Sequence, residues 1–426
     1  MRPSPENGAV PGGWQLVRLG DVAEMSQGGT PRKSRSEYWD GDIPFVTGAD
    51  LTELRIGSSN ARSFLTAEGL YSGDTAVCEP GALLLATRTA VGLVGMATEI
   101  MGASQDITRL VANGRVESDY LCRVLLRLGP SLQRRQRGTT IQGVTREDVT
   151  SLSILLPPLP EQRAIVAVLD SIDVAIEGTE AVIAATEQLR DSLLHELLMR
   201  GVPGWHTEWK EAPGVGTIPA CWEVVRLGDV AEMSQGGTPR KSRPEYWDGD
   251  IPFVTGADLT ELRIGSSNAR SFLTAEGLYS GDTAVCEPGA LLLATRTAVG
   301  LVGMATEIMG ASQDITRLVA NGRVESDYLC RVLLRLGPSL QRRQRGTTIQ
   351  GVTREDVTSL SILLPPLPEQ RAIVAVLDSI DVAIERTEAI IATTEQLRDS
   401  LLHELLTHGI PGWHSEESLR SLSRRT

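Results

Sequence analysis

Three places in this chain of 426 residues gather cations with hydroxyls or amides at close spacing. Arg32, Lys33 and Arg35 crowd a loop rich in glycine, proline and serine. Arg88 and Thr89 follow an apolar run, where a rigid strand would aim them outward. Gln133-Arg134-Arg135-Gln136-Arg137 closes a helix-like segment and leads into Gly138-Thr139-Thr140. Such sets grip phosphate oxygens through charge-assisted hydrogen bonds, and arginine also matches guanine O6 and N7 as a two-pronged donor. Each has a plainer reading as well. The first is then a solvated basic loop, Arg88 half of a structural salt bridge, and the third a set of cations favourably placed at a helix C-terminus. Tyr38 and Trp39 have faces for stacking on bases, or they pack the loop that carries them.

Other chemistries lack their residues. There is no GxxxxGK[ST] phosphate loop, no Asn/Asp-Pro-Pro-aromatic tetrad and no HExxH pair. The histidines His195, His206, His403, His408 and His414 lie in or just beyond two long helical segments. Cys78, Cys122, Cys221, Cys286 and Cys330 show no CxxC spacing, so neither a disulfide framework nor a metal site is expected. A net charge of −13 argues against indiscriminate coating of nucleic acid. Specific binding needs only local cations, so it stays open. No apolar run reaches membrane-span length and the first residues lack a signal-peptide core, which points to the cytoplasm.

The elements that hold these clusters come twice. Residues 14–208 recur as 222–416 at a constant offset of 208, with ten differences in 195 residues. A period that long belongs to no solenoid, so each copy is a complete folding unit. The cation clusters therefore return as Arg240, Lys241 and Arg243, as Arg296 and Thr297, and as Arg342, Arg343, Arg345, Thr347 and Thr348.

Within a copy, apolar runs bounded by Gly, Pro and Asp predict strands at 43–47, 83–87, 107–112 and 152–156. A helix is predicted over 117–128 on the spacing of Tyr120, Leu121, Val124, Leu125 and Leu128. Pro157-Pro158-Leu159-Pro160 then breaks the pattern and opens a new helix. From Glu161 to about Met199 a heptad seam runs through Ile165, Leu169, Ile172, Ile176, Thr179, Ile183 and Thr186, and on through Leu189, Leu193 and Leu197 with a slip at Arg190. The second copy places Ile373, Leu377, Ile380, Ile384, Ile391, Leu397, Leu401 and Leu405 likewise. A helix of about 60 Å cannot hide such a seam on itself, so the other copy's helix is the expected partner, against the alternative that each lies on its own domain.

The chain thus divides into a segment 1–13, a mixed α/β domain 14–158, a long helix 159–200, a linker 201–221, a second domain 222–366, a second long helix 367–408 and a tail 409–426. Four ordered stretches then resemble one family: GGTPRKSRSEYWDGDIPFVTGADL at 28–51, RTAVG at 88–92, GTTIQGVTREDV at 138–149 and LPPLPEQRAIVAVLDSID at 156–173, all recurring at +208. They resemble the specificity subunits of type I restriction-modification systems. The resemblance implies an α+β chain in which two target-recognition domains are joined by two long helices forming an antiparallel, pseudo-twofold coiled coil. It further implies that each domain reads half of a bipartite site in double-stranded DNA while the helices set the gap, with no catalysis by the chain itself. Two methyltransferase subunits using S-adenosylmethionine and two ATP- and Mg-dependent restriction subunits are the implied partners, so no cofactor is expected here. A protein-interaction scaffold holding two identical binding domains is the rival from another class, and a stand-alone enzyme is disfavoured by the missing motifs.

Between 17–177 and 225–385 only Ser36 and Pro244 differ. Equal readers imply equal half-sites, so the expected target is an inverted repeat around a gap.

Overall fold

Leu83, Leu84, Leu85 and Ala86 follow one another without a polar residue, a run that only a strand covered on both faces can bury. In the computed structural model all four are fully buried. Leu83 and Leu85 join one core with Tyr120, Leu121 and Leu125, while Leu84 and Ala86 turn into a second core with Val46, Ile56 and Met101. The structure describes residues 10–137, 143–345 and 351–413. It comprises two units, Met1–Glu180 with Ile390–Thr426, and Ala181–Ala389.

In the first unit the strands are β1 (Gln15–Arg18), β2 (Ala23–Gln27), β3 (Trp39–Val46), β4 (Arg55–Ile56), β5 (Ser63–Leu65), β6 (Ala76–Cys78), β7 (Leu83–Ala86), β8 (Val94–Ala97), β9 (Met101–Ala103), β10 (Ile107–Ala112) and β11 (Ser153–Leu156). The helices are α1 (Ala67–Leu70), α2 (Ser118–Gln133), α3 (Arg146–Thr150) and the long α4 (Leu159–Arg200). One sheet runs β2-β10-β7-β8-β4, antiparallel except for the parallel β4–β8 edge; another runs β5-β3-β9-β6, with β3 and β9 parallel. A third ribbon pairs β1 with β11, Gln15 opposite Leu156, and so ties the first strand to the entrance of α4. The predicted helix over 117–128 extends to Gln133, through Pro130. Proline removes a donor but not an acceptor, and the Pro130 carbonyl takes the Arg134 amide at 3.2 Å, so the last turn continues past it.

The second unit repeats these elements at +208, with helices α5 (Ala275–Leu278), α6 (Ser326–Arg342), α7 (Arg354–Thr358) and the long α8 (Leu367–His408). It adds a hairpin of its own, β12 (Trp209–Ala212) with β13 (Gly216–Pro219). No helix among the described residues is long and apolar enough to cross a membrane.

Each unit contains the first part of one long helix and the last part of the other, packed antiparallel. In the first, Ile165 and Leu169 of α4 share a core with Leu402, Leu405 and Leu406 of α8, and Asp173 lies 3.8 Å from Arg398. In the second, Ile373 and Leu377 meet Leu197 and Leu198, and Asp381 lies 2.8 Å from Arg190. Ile176 and Ile384 are buried, and Ile172, Ile183, Ile380 and Ile391 half-buried. Leu189 and Leu397, expected on the seam, are instead 54% and 53% exposed. The half-buried Arg190 and Arg398 hold those places. From Ile183 the half-buried positions are Thr186, Arg190, Leu193 and Leu194, so Leu189 is a local slip, after which Leu193 and the buried Leu197 return to the seam.

Candidate nucleic-acid interface

A chain of hydrogen bonds fixes one end of the five-stranded sheet. Thr108 donates to Gln27 Oε1 at 3.2 Å and its hydroxyl lies 3.1 Å from that of Thr87, so the ends of β2, β10 and β7 are tied together. Two loops leave from this edge and a third segment is tied to it. The first begins at Gly28-Gly29, whose amides donate to Ile107 and Ala103 carbonyls at 2.9 Å. A Cβ on Gly28 would stand 2.1 Å from the Ser104 carbonyl oxygen, so only glycine lets the chain pass. This loop carries Arg32, Lys33 and Arg35, and Trp39 donates to the Arg32 carbonyl at 3.3 Å to hold it.

The second loop joins β7 to β8. Thr87 is 3% exposed and anchors it, while Arg88, Thr89 and Ala90 are exposed. Ala90 sits at φ 59° and Ala298 at 57°. A left-handed alanine costs about 1–2 kcal/mol, and strain of this kind gathers at functional sites. Gly92 packs backbone to backbone on Gly129 of α2, where a Cβ would meet the Gly129 carbonyl at 2.7 Å.

The third runs from the end of α2. Arg137 and Gly143 exchange backbone hydrogen bonds of 2.9 and 3.0 Å, and Val144 donates to Thr87 at 2.8 Å. Gly143 and Val144 therefore rest against the Arg88 loop. The second unit repeats the arrangement, with Thr295 and Thr316 at 3.1 Å, Gln235 at 3.2 Å from Thr316 and Val352 donating to Thr295 at 2.9 Å.

The cations differ in how far they are committed. Arg88, Arg296, Arg32, Arg240, Lys33, Lys241, Arg134 and Arg342 are exposed and have no carboxylate within ion-pair distance among the described residues. The salt-bridge reading of Arg88 thus has no partner there. Arg35 is exposed but partnered, donating to Tyr38 Oη at 3.0 Å with Glu37 at 3.9 Å, and Tyr38 itself is buried. Arg243, also exposed, stands 3.6 Å from Glu245 and lies over the Tyr246 ring. Arg135 donates to the Asp148 carbonyl and Arg137 reaches the Asp148 carboxylate, each at 3.5 Å; Arg345 stands 3.6 Å from Asp356, and Arg343 is exposed. The Thr145 hydroxyl and amide hold the Asp148 carboxyl below the usual range against the opposing effect of burial, with Arg137 and Arg135 adding to them. Thr89 and Thr297 are exposed, whereas Thr139, Thr140, Thr347 and Thr348 lie outside the described residues.

Sequence reasoning singled out neither Gln27 nor Thr108. Their signal is a glutamine directly before a Gly-Gly pair and a threonine inside an apolar strand, and it acquires meaning only when the strands pair.

A family model described as the type I restriction modification DNA specificity domain matches residues 11–188 and again 219–396. The chain is 24% identical over 409 residues to the type I restriction enzyme MjaIX specificity subunit of Methanocaldococcus jannaschii, covering 94% of each. It is 21% identical over 392 residues to the EcoDI specificity subunit of Escherichia coli, covering 86% of this chain and 81% of that one. Its fold matches a chain from a structural study of assembly and conformational transition of the type I R-M system, with TM-score 0.66, 23% identity and coverage of 95% and 100%. The HsdS subunit from Thermoanaerobacter tengcongensis matches with TM-score 0.51 and 24% identity, covering 95% and 99%. With the same domain matched in both copies of the repeat, the chain belongs to the family of type I restriction-modification DNA specificity subunits.

Proposed function

We propose that this chain is the DNA-reading, non-catalytic subunit of a type I restriction-modification complex, and that its two domains read one and the same half-site word in inverted orientation. The observation that carries the reading is the repetition of one strained, outward-facing arginine loop, Arg88 to Ala90 and Arg296 to Ala298, on sheets of equal sequence and equal register. The same ion pair forms in each unit, Asp173 with Arg398 and Asp381 with Arg190, and equal readers suit a palindromic duplex.

In this reading the free cations position the chain on phosphates while Arg88 and Arg296 read base edges. The chain assembles with two methyltransferase subunits, which supply S-adenosylmethionine and methylate adenine, and with two restriction subunits that use ATP and Mg. It works in the cytoplasm, beside the DNA.

The test is duplex binding by the chain assembled with its methyltransferase partner, comparing selected with random sequence at several salt concentrations. Selected duplexes should bind on the order of a thousandfold or more tighter, with log affinity falling linearly in log salt. Equal affinity for every duplex would leave only the scaffold reading.

A further inference from the structure

Four of the five cysteines are shut away. Burial pushes the thiols of Cys78, Cys122, Cys286 and Cys330 up to about 12, which leaves them protonated and unreactive at neutral pH. Cys221 is the exception: it is exposed, it lies in the linker between α4 and the second domain, and the first copy has Gly13 at the matching position.

Its sulfur stands 3.8 Å from His206 Nδ1. The His206 side chain is only 8% exposed, held edge-on between Trp209 and Trp222 with ring centroids 6.0 and 6.1 Å away. Nε2 lies 2.6 Å from Glu369 Oε1. That carboxyl group is also met by the Val202 amide at 3.2 Å and by the Trp222 indole N–H at 2.7 Å. With N–H groups converging on both its oxygens, Glu369 acts as an acceptor, so Nε2 carries the imidazole proton. The Nδ1 lone pair is thereby turned toward the thiol. Among the described residues Nδ1 has no other partner. A structural zinc site takes four ligands, whereas here one sulfur and one nitrogen face each other and the carboxylate oxygens are occupied. What remains is a nucleophile, a base and a group that orients the base.

We propose that Cys221 is a modification site, a thiol that exchanges with low-molecular-weight disulfides, with His206 as its proton acceptor and Glu369 as the positioning residue. The Cys221 proton passes to His206 Nδ1 as the sulfur attacks one sulfur of the disulfide R–S–S–R. The R–S–S–R bond breaks, a Cys221–S–S–R bond forms, and R–S⁻ leaves and collects the proton, so Cys221 is oxidised as one equivalent of thiol is released. Because the matching position is Gly13, the modification falls on one copy of the repeat only, and two equal readers acquire an unequal surrounding.

The test treats the full chain with oxidised glutathione, maps the adduct by peptide mass, and times the reaction with a chromogenic aromatic disulfide. One thiol per folded chain should react fast, map to Cys221, and vanish in Cys221→Ser. Wild type should react faster than a free peptide spanning Cys221 at the same pH, and His206→Gln should slow it by about tenfold or more. An adduct elsewhere, or a wild-type rate no faster than the free peptide, overturns the proposal, and the second comparison holds even if His206→Gln fails to fold. A folded His206→Gln chain reacting at the wild-type rate overturns it equally.

Discussion

Arg123 of α2 donates to Asp170 of α4 at 2.7 Å, and the same guanidinium bonds Asp173 one turn further on. Burial of Arg123 works against its charge, and hydrogen bonds to Asp173 and Asp170 outweigh it, so its pKa is raised. Arg331 repeats the fork on Asp378, at 2.6 Å, and Asp381. A charged clamp therefore fastens the recognition domain to the base of its long helix. Arg123→Met keeps the apolar stem and releases two carboxylates, of which Asp170 is 43% exposed and readily hydrated. The expected loss is about 1–3 kcal/mol, below the cost of stranding a fully buried charge. Urea unfolding measures it, and an unmoved midpoint would mean that the clamp carries no load.

Arg88→Ala and Arg296→Ala should each weaken reading of one half-site by about 1–3 kcal/mol, and by equal amounts, if the arginine contacts a base edge. A phosphate contact would instead lower affinity for all sequences alike and reduce the salt slope by about one. Binding curves on specific and random duplexes separate the two. Wild-type behaviour of both mutants on both duplexes would return the arginine to a structural role.

Gly28→Ala should dislodge the loop that carries Arg32 and Lys33, because its Cβ meets backbone oxygens of Ser104 and Ala103 at 2.1 and 2.6 Å, which cannot swing aside. Gly114→Ala, with nothing within 4 Å of the new carbon, serves as the control and should stay within about 0.5 kcal/mol of wild type. Thermal melts and DNA affinity report both. Equal behaviour of the two variants would refute the close-approach account.

Much of this was legible in the residues. The offset of 208 marks the repeat and the Pro157-Pro158 break the start of each long helix, and the heptad positions Ile165 and Leu169 lie in the core. The seam beyond Thr186 was misread at Leu189, whose place is taken by the half-buried Arg190, while Leu193 and Leu197 lie on it as expected. Nor does local pattern tell that Leu402, Leu405 and Leu406, far along the chain, complete the core around Trp14. The cation clusters were visible as composition, but their placement depends on Gln27, Thr108 and Thr87, residues 21 to 81 positions apart whose contact exists only after the strands pair. Arg123 hid among the apolar residues of α2 because its two partners lie on another helix.

If the long helices set the gap between half-sites, their length is a calculable ruler. One heptad inserted after Ile176 and one after Ile384 lengthen each by about 10 Å. That equals roughly three base pairs, which also turn the duplex by roughly 100°. Site selection from DNA with randomised gaps should return a longer gap or a sharp loss of binding. An unchanged gap at unchanged affinity would end the ruler idea.

The central claim, that two equal domains read equal words, is tested most directly by mapping methylated adenines in DNA from cells carrying this chain and its methyltransferase partner. Between 17–177 and 225–385 the copies differ only at Ser36 and Pro244. The map should therefore return one recognition site made of two identical half-sites, inverted about a gap of fixed length. Two unlike half-sites would contradict the account.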